Sequence, residues 1–193
     1  MAFDRLKGLL GRMKGRFGEE ATYEGGQEPI ASPVQENPVP TFGGKSLSFL
    51  DKQMDRLGID PSERDAFTKN IYDFSRQVRN VESDDNPMAA AGSTSAKGVY
   101  QFTDGSVQTA KNRMFNMGFD KDYIRDIDNN PHNWNDEQAD CMFLANMFAQ
   151  RGSDKILNKI GEDDLSAMKE AYYKFHHTAP DKATIDRVEK LMV

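Results

Sequence analysis

The sequence predicts a mainly α-helical domain over residues 46–193, preceded by an arm and linker over residues 1–45. Three observations predict it. Beyond residue 45, apolar residues recur at steps of three and four, cap residues precede those runs, and glycine or proline closes them. A length of 193 residues suits one domain with additional segments. The stretch from 46 onward suffices for one core, burying about two-thirds of its unfolded surface.

The elements follow in order. Residues 1–18 carry Arg5, Lys7, Arg12, Lys14 and Arg16 against Asp4 alone, and Phe3, Leu6, Leu10, Met13 and Phe17 share one helical face. Gly8, Gly11 and Gly15 each cost such a helix about 1 kcal/mol relative to alanine. The segment is therefore expected to order against a partner or a membrane surface, the plain alternative being a solvated basic arm. Charges interrupt its apolar runs, so it does not read as a secretory signal. Residues 19–45 combine Glu19, Glu20, Glu24, Glu28 and Glu36 with Pro29, Pro33, Pro38 and Pro40, the composition of an extended linker. Ser46 is expected to cap a helix bearing Leu47, Leu50, Met54 and Leu57, ended by Gly58. Asp60-Pro61-Ser62-Glu63 then supplies an N-cap, a proline at the first helical position and a capping-box glutamate. The helix it opens places Phe67, Ile71, Phe74, Val78 and Val81 on one face and delivers Glu82 at its C-terminal end. Residues 84–105, with Gly92, Gly98 and Gly105, read as a loop or small hairpin region. Further helices are predicted at about 105–117, 120–128, 136–150, 153–160, 164–176 and 181–192, punctuated by Gly118, Gly152, Gly161 and Pro180.

Composition removes several functions. Lys+Arg total 25 against 31 Asp+Glu, a net charge of -6, which argues against nucleic acid as a partner because phosphate recognition needs a basic footprint. Cys141 is the only cysteine, so no intramolecular disulfide framework or multi-cysteine zinc module exists. No apolar run approaches the length of a membrane-spanning helix.

The chemistry concentrates at the end of the helix that bears Phe67 to Val81, and just after it. A carboxyl at the end of an apolar-faced helix, followed by a glycine-rich loop, sits where a core meets a cleft. Partial desolvation and the negative end of the helix dipole both favour its protonated form, as a general acid on a glycosidic oxygen requires. The competing reading of Glu82 is a surface glutamate that merely ends a helix.

The residues that follow extend this reading. Glu82-Ser83-x-x-Asn86-Pro87, small residues through Ser93 and Ser95, then Ala96-Lys97-Gly98-Val99-Tyr100-Gln101-Phe102 resembles the soluble lytic transglycosylase family. The Gly98-Val99-Tyr100-Gln101-Phe102 variant is similar to phage muramidases of the same lysozyme-like superfamily. The resemblance covers residues 82–102. It implies a lysozyme-like helical domain, of the goose-type lysozyme and transglycosylase kind, that cleaves the β-1,4 bond between MurNAc and GlcNAc in peptidoglycan glycan strands. It further implies that Glu82 is the acid and base, that Gln101 lines the cleft and bonds the substrate, and that Gly98, lacking a Cβ, admits the backbone close to the sugar. Tyr100 falls within the same substrate-binding stretch. The loop is one residue longer than the family spacing, which puts Ala91 or Gly92 at the family serine position and leaves Ser93 or Ser95 to supply that hydroxyl. The family's second motif is half present, as Ala171-Tyr172-Tyr173-Lys174-Phe175. By that resemblance the Tyr172 hydroxyl touches the catalytic glutamate; the alternative is a core aromatic in register with Met168 and Phe175.

Other side chains weigh less. A hydrolase needs a second carboxylate, about 5–5.5 Å from the acid for retention or about 6.5–9.5 Å for inversion. Asp84, Asp85 and Asp104 are candidates, each also suited to a turn or cap. His176 and His177 point about 100° apart on a helix, without a third ligand at metal spacing, so a cleft-wall or helix-end role is expected. No metal and no cofactor are predicted. Trp134 is expected to staple a helix start rather than stack on a sugar, and Cys141 to be buried and inert. The expectation is a phage virion protein, in the tail or ejected internally, acting on the host periplasm or cell wall. Residues 1–45 would dock on other virion or tail proteins, with transient membrane-surface contact through residues 1–18. The alternatives are a hydrolytic endolysin and an inactive structural component of the virion.

Overall fold

α1 spans Gly44–Leu57 and α2 Arg64–Ser83, joined through a 3-10 turn at Pro61–Glu63. The computed structural model describes residues 42–92, 94–162, 164–176 and 180–192, without the side chain of Leu191. The expectations for residues 1–41 and for Ser93, His177 and Thr178 lie outside the described residues. After the loop come α3 (Asp104–Asn116), α4 (Lys121–Asp126), α5 (Asp136–Phe148), α6 (Ser153–Gly161), α7 (Leu165–Ala171) and α8 (Lys182–Leu191). Among the described residues the fold is helical and has no strand. The 84–105 region is a looped turn pinned by isolated antiparallel bridges between Ala90 and Lys97 and between Lys97 and Phe102.

α5 is the central helix. Every residue from Ala139 to Ala145 is buried, as are Met147 and Phe148, so it is apolar nearly all round and is covered by α1, α3 and α6. Its start is the capping box that Asn135-x-x-Gln138 encodes, each side chain bonding the other residue's backbone N–H. α2 lays Phe67, Ile71, Phe74, Val78 and Val81 into the core, packing against α6 and α8.

Four local expectations are corrected. α1 begins two residues before Ser46, with Gly43 as its N-cap. Ser46 is buried instead, its hydroxyl on the Glu137 carbonyl and 3.2 Å from the Cys141 sulfur. The first-turn N–H of Lys45 is satisfied from α5 by the Glu137 carboxylate at 2.7 Å, a tertiary cap that local sequence does not contain. Phe42, assigned to the linker, is buried, with its ring edge-on to Tyr72. The Asp60 signal starts the 3-10 turn rather than α2 itself. The single helix expected over 164–176 is α7 followed by a π-helical turn at Tyr172–His176.

Candidate active site

Glu82 lies one residue before the end of α2. The helix stops because Asp84 and Asp85 adopt left-handed backbone conformations, at φ 54° and 59°, which aspartate tolerates better than most residues. Ser83, the last helical residue, places its hydroxyl 3.0 Å from its own helix's Arg79 carbonyl and 2.9 Å from the Val99 carbonyl of the loop. One serine thus fixes the 98–101 turn against the end of the helix that carries Glu82.

The opposite wall is the π-helical turn. The Tyr172 hydroxyl donates to Glu82 Oε1 at 2.5 Å, and His176 Nε2 lies 3.5 Å from the same oxygen. The side chains of Glu82 and His176 are each 9% exposed, and Tyr172 is fully buried. Burial first, then the adjacent Glu82 charge, pushes the Tyr172 phenol far up, so it remains a donor. π-turns are uncommon and recur at functional sites; this one presents residues i and i+4 to one carboxyl oxygen.

Beneath this pair runs a buried polar network. Asp140 on α5 accepts both its short bonds from Arg76, at 2.7 and 2.5 Å, and a third from the Tyr100 hydroxyl at 2.7 Å. Arg79 adds its charge at 3.7 Å from Asp140 and is itself paired with Asp85 and Asp136. Burial pushes the Asp140 carboxyl up, opposed by the Arg76 charge, and pushes the Tyr100 phenol well up. The ring of Tyr100 stacks on Phe143 at 4.4 Å.

Several sequence assignments change with this geometry. Tyr100 is not a substrate-binding residue: it is 1% exposed, its ring is spent on Phe143 and its hydroxyl on Asp140. Gly98 has a reason within the fold to lack a Cβ. Its φ is +74°, and a Cβ there would sit 3.0 Å from the Pro131 Cβ and 3.1 Å from the Pro131 carbonyl oxygen. Ser95 is exposed, and its hydroxyl accepts from the Asp104 N–H that opens α3. Gln101, itself at φ 48°, donates its amide to the carbonyls of Ala89 and Gly98, which makes it a brace of the loop. The Ala89 carbonyl also receives Gly98 N–H and lies 3.0 Å from His132 Nε2, so three groups converge on it. Trp134 staples as expected, with its indole N–H on the Asp128 carbonyl and its ring edge-on to Phe102.

The candidates for a second carboxylate are engaged or turned out. Asp84 is paired with Arg187 at 2.6 Å, Asp85 with Arg79, and Asp104 is exposed at the start of α3. Among the described residues no group of three or more His, Cys, Asp or Glu is arranged to hold a metal ion. A cavity of about 470 Å³ lies between α2 and α6 over Phe67 and Asn158, and one of about 190 Å³ between α1 and the 117–123 turn. Neither is lined by Glu82. Sequence reasoning placed His176 only on a wall; its spacing of four from Tyr172 is the signal that joins it to the same carboxyl. Compared with known proteins, the chain matches no family model, no curated protein and no solved structure.

Proposed function

We propose that this chain is a lysozyme-like peptidoglycan lytic transglycosylase in which Glu82 is the general acid and base. One observation carries the reading: a mostly buried carboxyl at a helix end whose Oε1 accepts the Tyr172 hydroxyl at 2.5 Å. The resemblance of residues 82–102 names the substrate class, the MurNAc-GlcNAc glycan strand. Glu82 gives its proton to the glycosidic oxygen as the C1–O bond breaks. The resulting carboxylate then takes the proton of the C6 hydroxyl while that oxygen bonds to C1, leaving a 1,6-anhydro end and a re-protonated Glu82. Proton transfer of this kind contributes roughly 10²–10⁴-fold. Tyr172 holds the carboxyl in place and stabilises its charge between the two steps. The pairing of Asp84 with Arg187 and of Asp85 with Arg79 supports a single-carboxylate lyase over a hydrolytic muramidase. The setting proposed is a phage virion, with residues 1–45 docking on other virion or tail proteins and the domain opening the host wall during genome delivery.

A second reading, an inactive lysozyme-like domain serving as a structural virion component, draws support from Tyr100 and Gly98, both spent on packing. Turbidity clearing of purified peptidoglycan separates the two. Wild type is expected to clear and Glu82→Gln to lose about 100-fold or more. Equal clearing by both removes Glu82 from the mechanism; clearing by neither leaves the structural reading. Mass spectrometry of released fragments is expected to show anhydro ends, and reducing ends would indicate hydrolysis.

A further inference from the structure

We infer that the cavity between α1 and the 117–123 turn binds a small carboxylic acid, one carboxylate on an apolar body no larger than an aromatic ring. The site is separate from Glu82 and does not depend on the activity proposed above. Lys45, Ser48, Phe49 and Lys52 fall at i, i+3, i+4 and i+7 of α1, so all four stand on one stripe of the helix. That stripe lines the cavity of about 190 Å³, opposite Met117, Phe119 and Tyr123. The volume lies below the roughly 300–1,000 Å³ of pockets that take drug-sized ligands, so the occupant is small. Its apolar side is fixed: Phe49 is buried and stacks on Phe119 at 4.7 Å, and Phe148 meets Phe49 edge-on at 5.7 Å. Tyr123 offers the cavity its ring, while its hydroxyl lies 3.6 Å from the sulfur of the buried Cys141.

The polar side carries positive charge without a counter-ion. Lys45 Nζ sits 4.5 Å from the centre of the Tyr123 ring, which holds the ammonium at the cavity wall. Among the described residues neither Lys45 nor Lys52 pairs its ammonium with a carboxylate. The next cation of α1, Arg56, is by contrast taken by both oxygens of Asp154. Two acids stand close by, and each is engaged by backbone. Asp120 accepts the Tyr123 N–H at 2.9 Å, and Glu137 accepts the Lys45 N–H at 2.7 Å. Two lysines therefore face the ligand directly, while the second charge of a dianion would meet these carboxylates. Charge and size together select a monoanion with an apolar body over inorganic phosphate. Such a ligand lays its body on Phe49 and Phe119 and accepts charge-assisted hydrogen bonds from the two ammonium groups.

NMR titration of the full chain at constant ionic strength tests this, with phenylacetate as the probe and phenylacetamide as its neutral counterpart. Phenylacetate is expected to shift the amides of residues 45–52 and 117–123 saturably. Phenylacetamide should bind at least about five-fold more weakly, the equivalent of the about 1 kcal/mol that one pair of unit charges gains at 4 Å even in water. Lys52→Gln, a change at an exposed side chain, should weaken phenylacetate by a similar factor and leave phenylacetamide alone. Ser48→Phe, also at an exposed position, fills the cavity and should abolish both. N-acetylphenylalanine carries the same chemistry as the end of a peptide. Its binding beside phenylacetate upholds the site with a chain terminus as a further source, and its failure upholds the site for a free acid. Three results overturn the inference: equal affinity for acid and amide, phenylacetate binding unchanged in Lys52→Gln, or competition by inorganic phosphate. Absence of saturable shifts in those two segments overturns the site itself.

Discussion

Gly98→Ala separates what this glycine does for the fold from what the resemblance implies it does for a sugar. Its φ of +74° disfavours any residue with a Cβ, by about 1–2 kcal/mol. The added methyl would also stand 3.0 Å from Pro131 Cβ and 3.1 Å from the Pro131 oxygen. That oxygen cannot retreat freely, because it accepts the Trp134 N–H at 3.3 Å at the end of the 3-10 turn. Overpacking of this kind costs about 1–3 kcal/mol. The smaller freedom of alanine in the unfolded chain returns about 0.4–1 kcal/mol. A net loss of about 1–4.5 kcal/mol is expected, read as a lower urea midpoint at unchanged slope. Gly98→Asn, which suits the left-handed conformation but keeps the Cβ, should recover the backbone part and not the crowding. Pro131→Ala in the Gly98→Ala background should recover part of the crowding. The reasoning fails if Gly98→Ala is as stable as wild type and yet clears no peptidoglycan, because the bare Cα would then serve a ligand.

The remaining predictions concern the scaffold. Ser83→Ala removes the hydroxyl shared by Arg79 and Val99 carbonyls and should cost about 1–2 kcal/mol, with faster amide exchange at Tyr100 and Gln101; unchanged protection there would show that the hydroxyl does not anchor the turn. Gly161→Ala would place a Cβ 2.1 Å from Cδ2 of the buried Phe67, so a loss of about 1–3 kcal/mol is expected, relieved in part by Phe67→Leu. Asp60, Asp128, Asp154 and Asp164 are held below the ordinary carboxylate range, Asp60 chiefly by the Ser62 hydroxyl, Asp128 by the Asn130 N–H, Asp154 by Arg56 and Asp164 by the Ser166 hydroxyl. Depressed carboxyls lend stability above their unfolded values and lose it as pH falls through the folded ones, so the melting temperature should drop below about pH 4. Asp140, pushed up by burial, works in the opposite sense but is one group against four. A flat melting temperature from pH 5 to 3 would contradict this.

The helices were legible where periodicity and local caps agree. Asn135 and Gln138 announce α5, and the 67-71-74-78-81 face announces α2. What escaped local reading depends on partners distant in sequence. α1 starts early because Glu137, across the fold, caps it. Gly98 is a glycine because Pro131 leaves no room, a contact 33 positions away that no motif records. Tyr100 carries a residue type suited to a sugar wall, and only its stacking on Phe143 reveals a core role. The π-turn is invisible to a 3.6-residue period, so His176 was assigned to a wall rather than to a specific oxygen. The place of Glu82 at a helix end is legible locally, but its assignment as an acid leans on the resemblance of residues 82–102 and not on that pattern alone.

Two buried carboxyls lie on either side of the Tyr100 and His176 rings, and their energetics distinguish a working site from a structural one. Asp140 is 4% exposed at its side chain and answers the charges of Arg76 and Arg79. Asp140→Asn takes from Arg76 the carboxylate that both its short bonds reach, and should cost about 3 kcal/mol. Glu82 faces a phenol and an imidazole, neither of which carries an obligatory charge. Glu82→Gln keeps the shape and an oxygen for the Tyr172 hydroxyl, so it should cost less than Asp140→Asn. A domain kept only for its architecture has no reason to desolvate a carboxyl that its stability does not need, whereas proteins tolerate such groups where chemistry uses them. Urea unfolding of the two variants decides the matter. Equal losses would make Glu82 one more strut, and a near-neutral Glu82→Gln beside a costly Asp140→Asn would leave function as the reason for its burial.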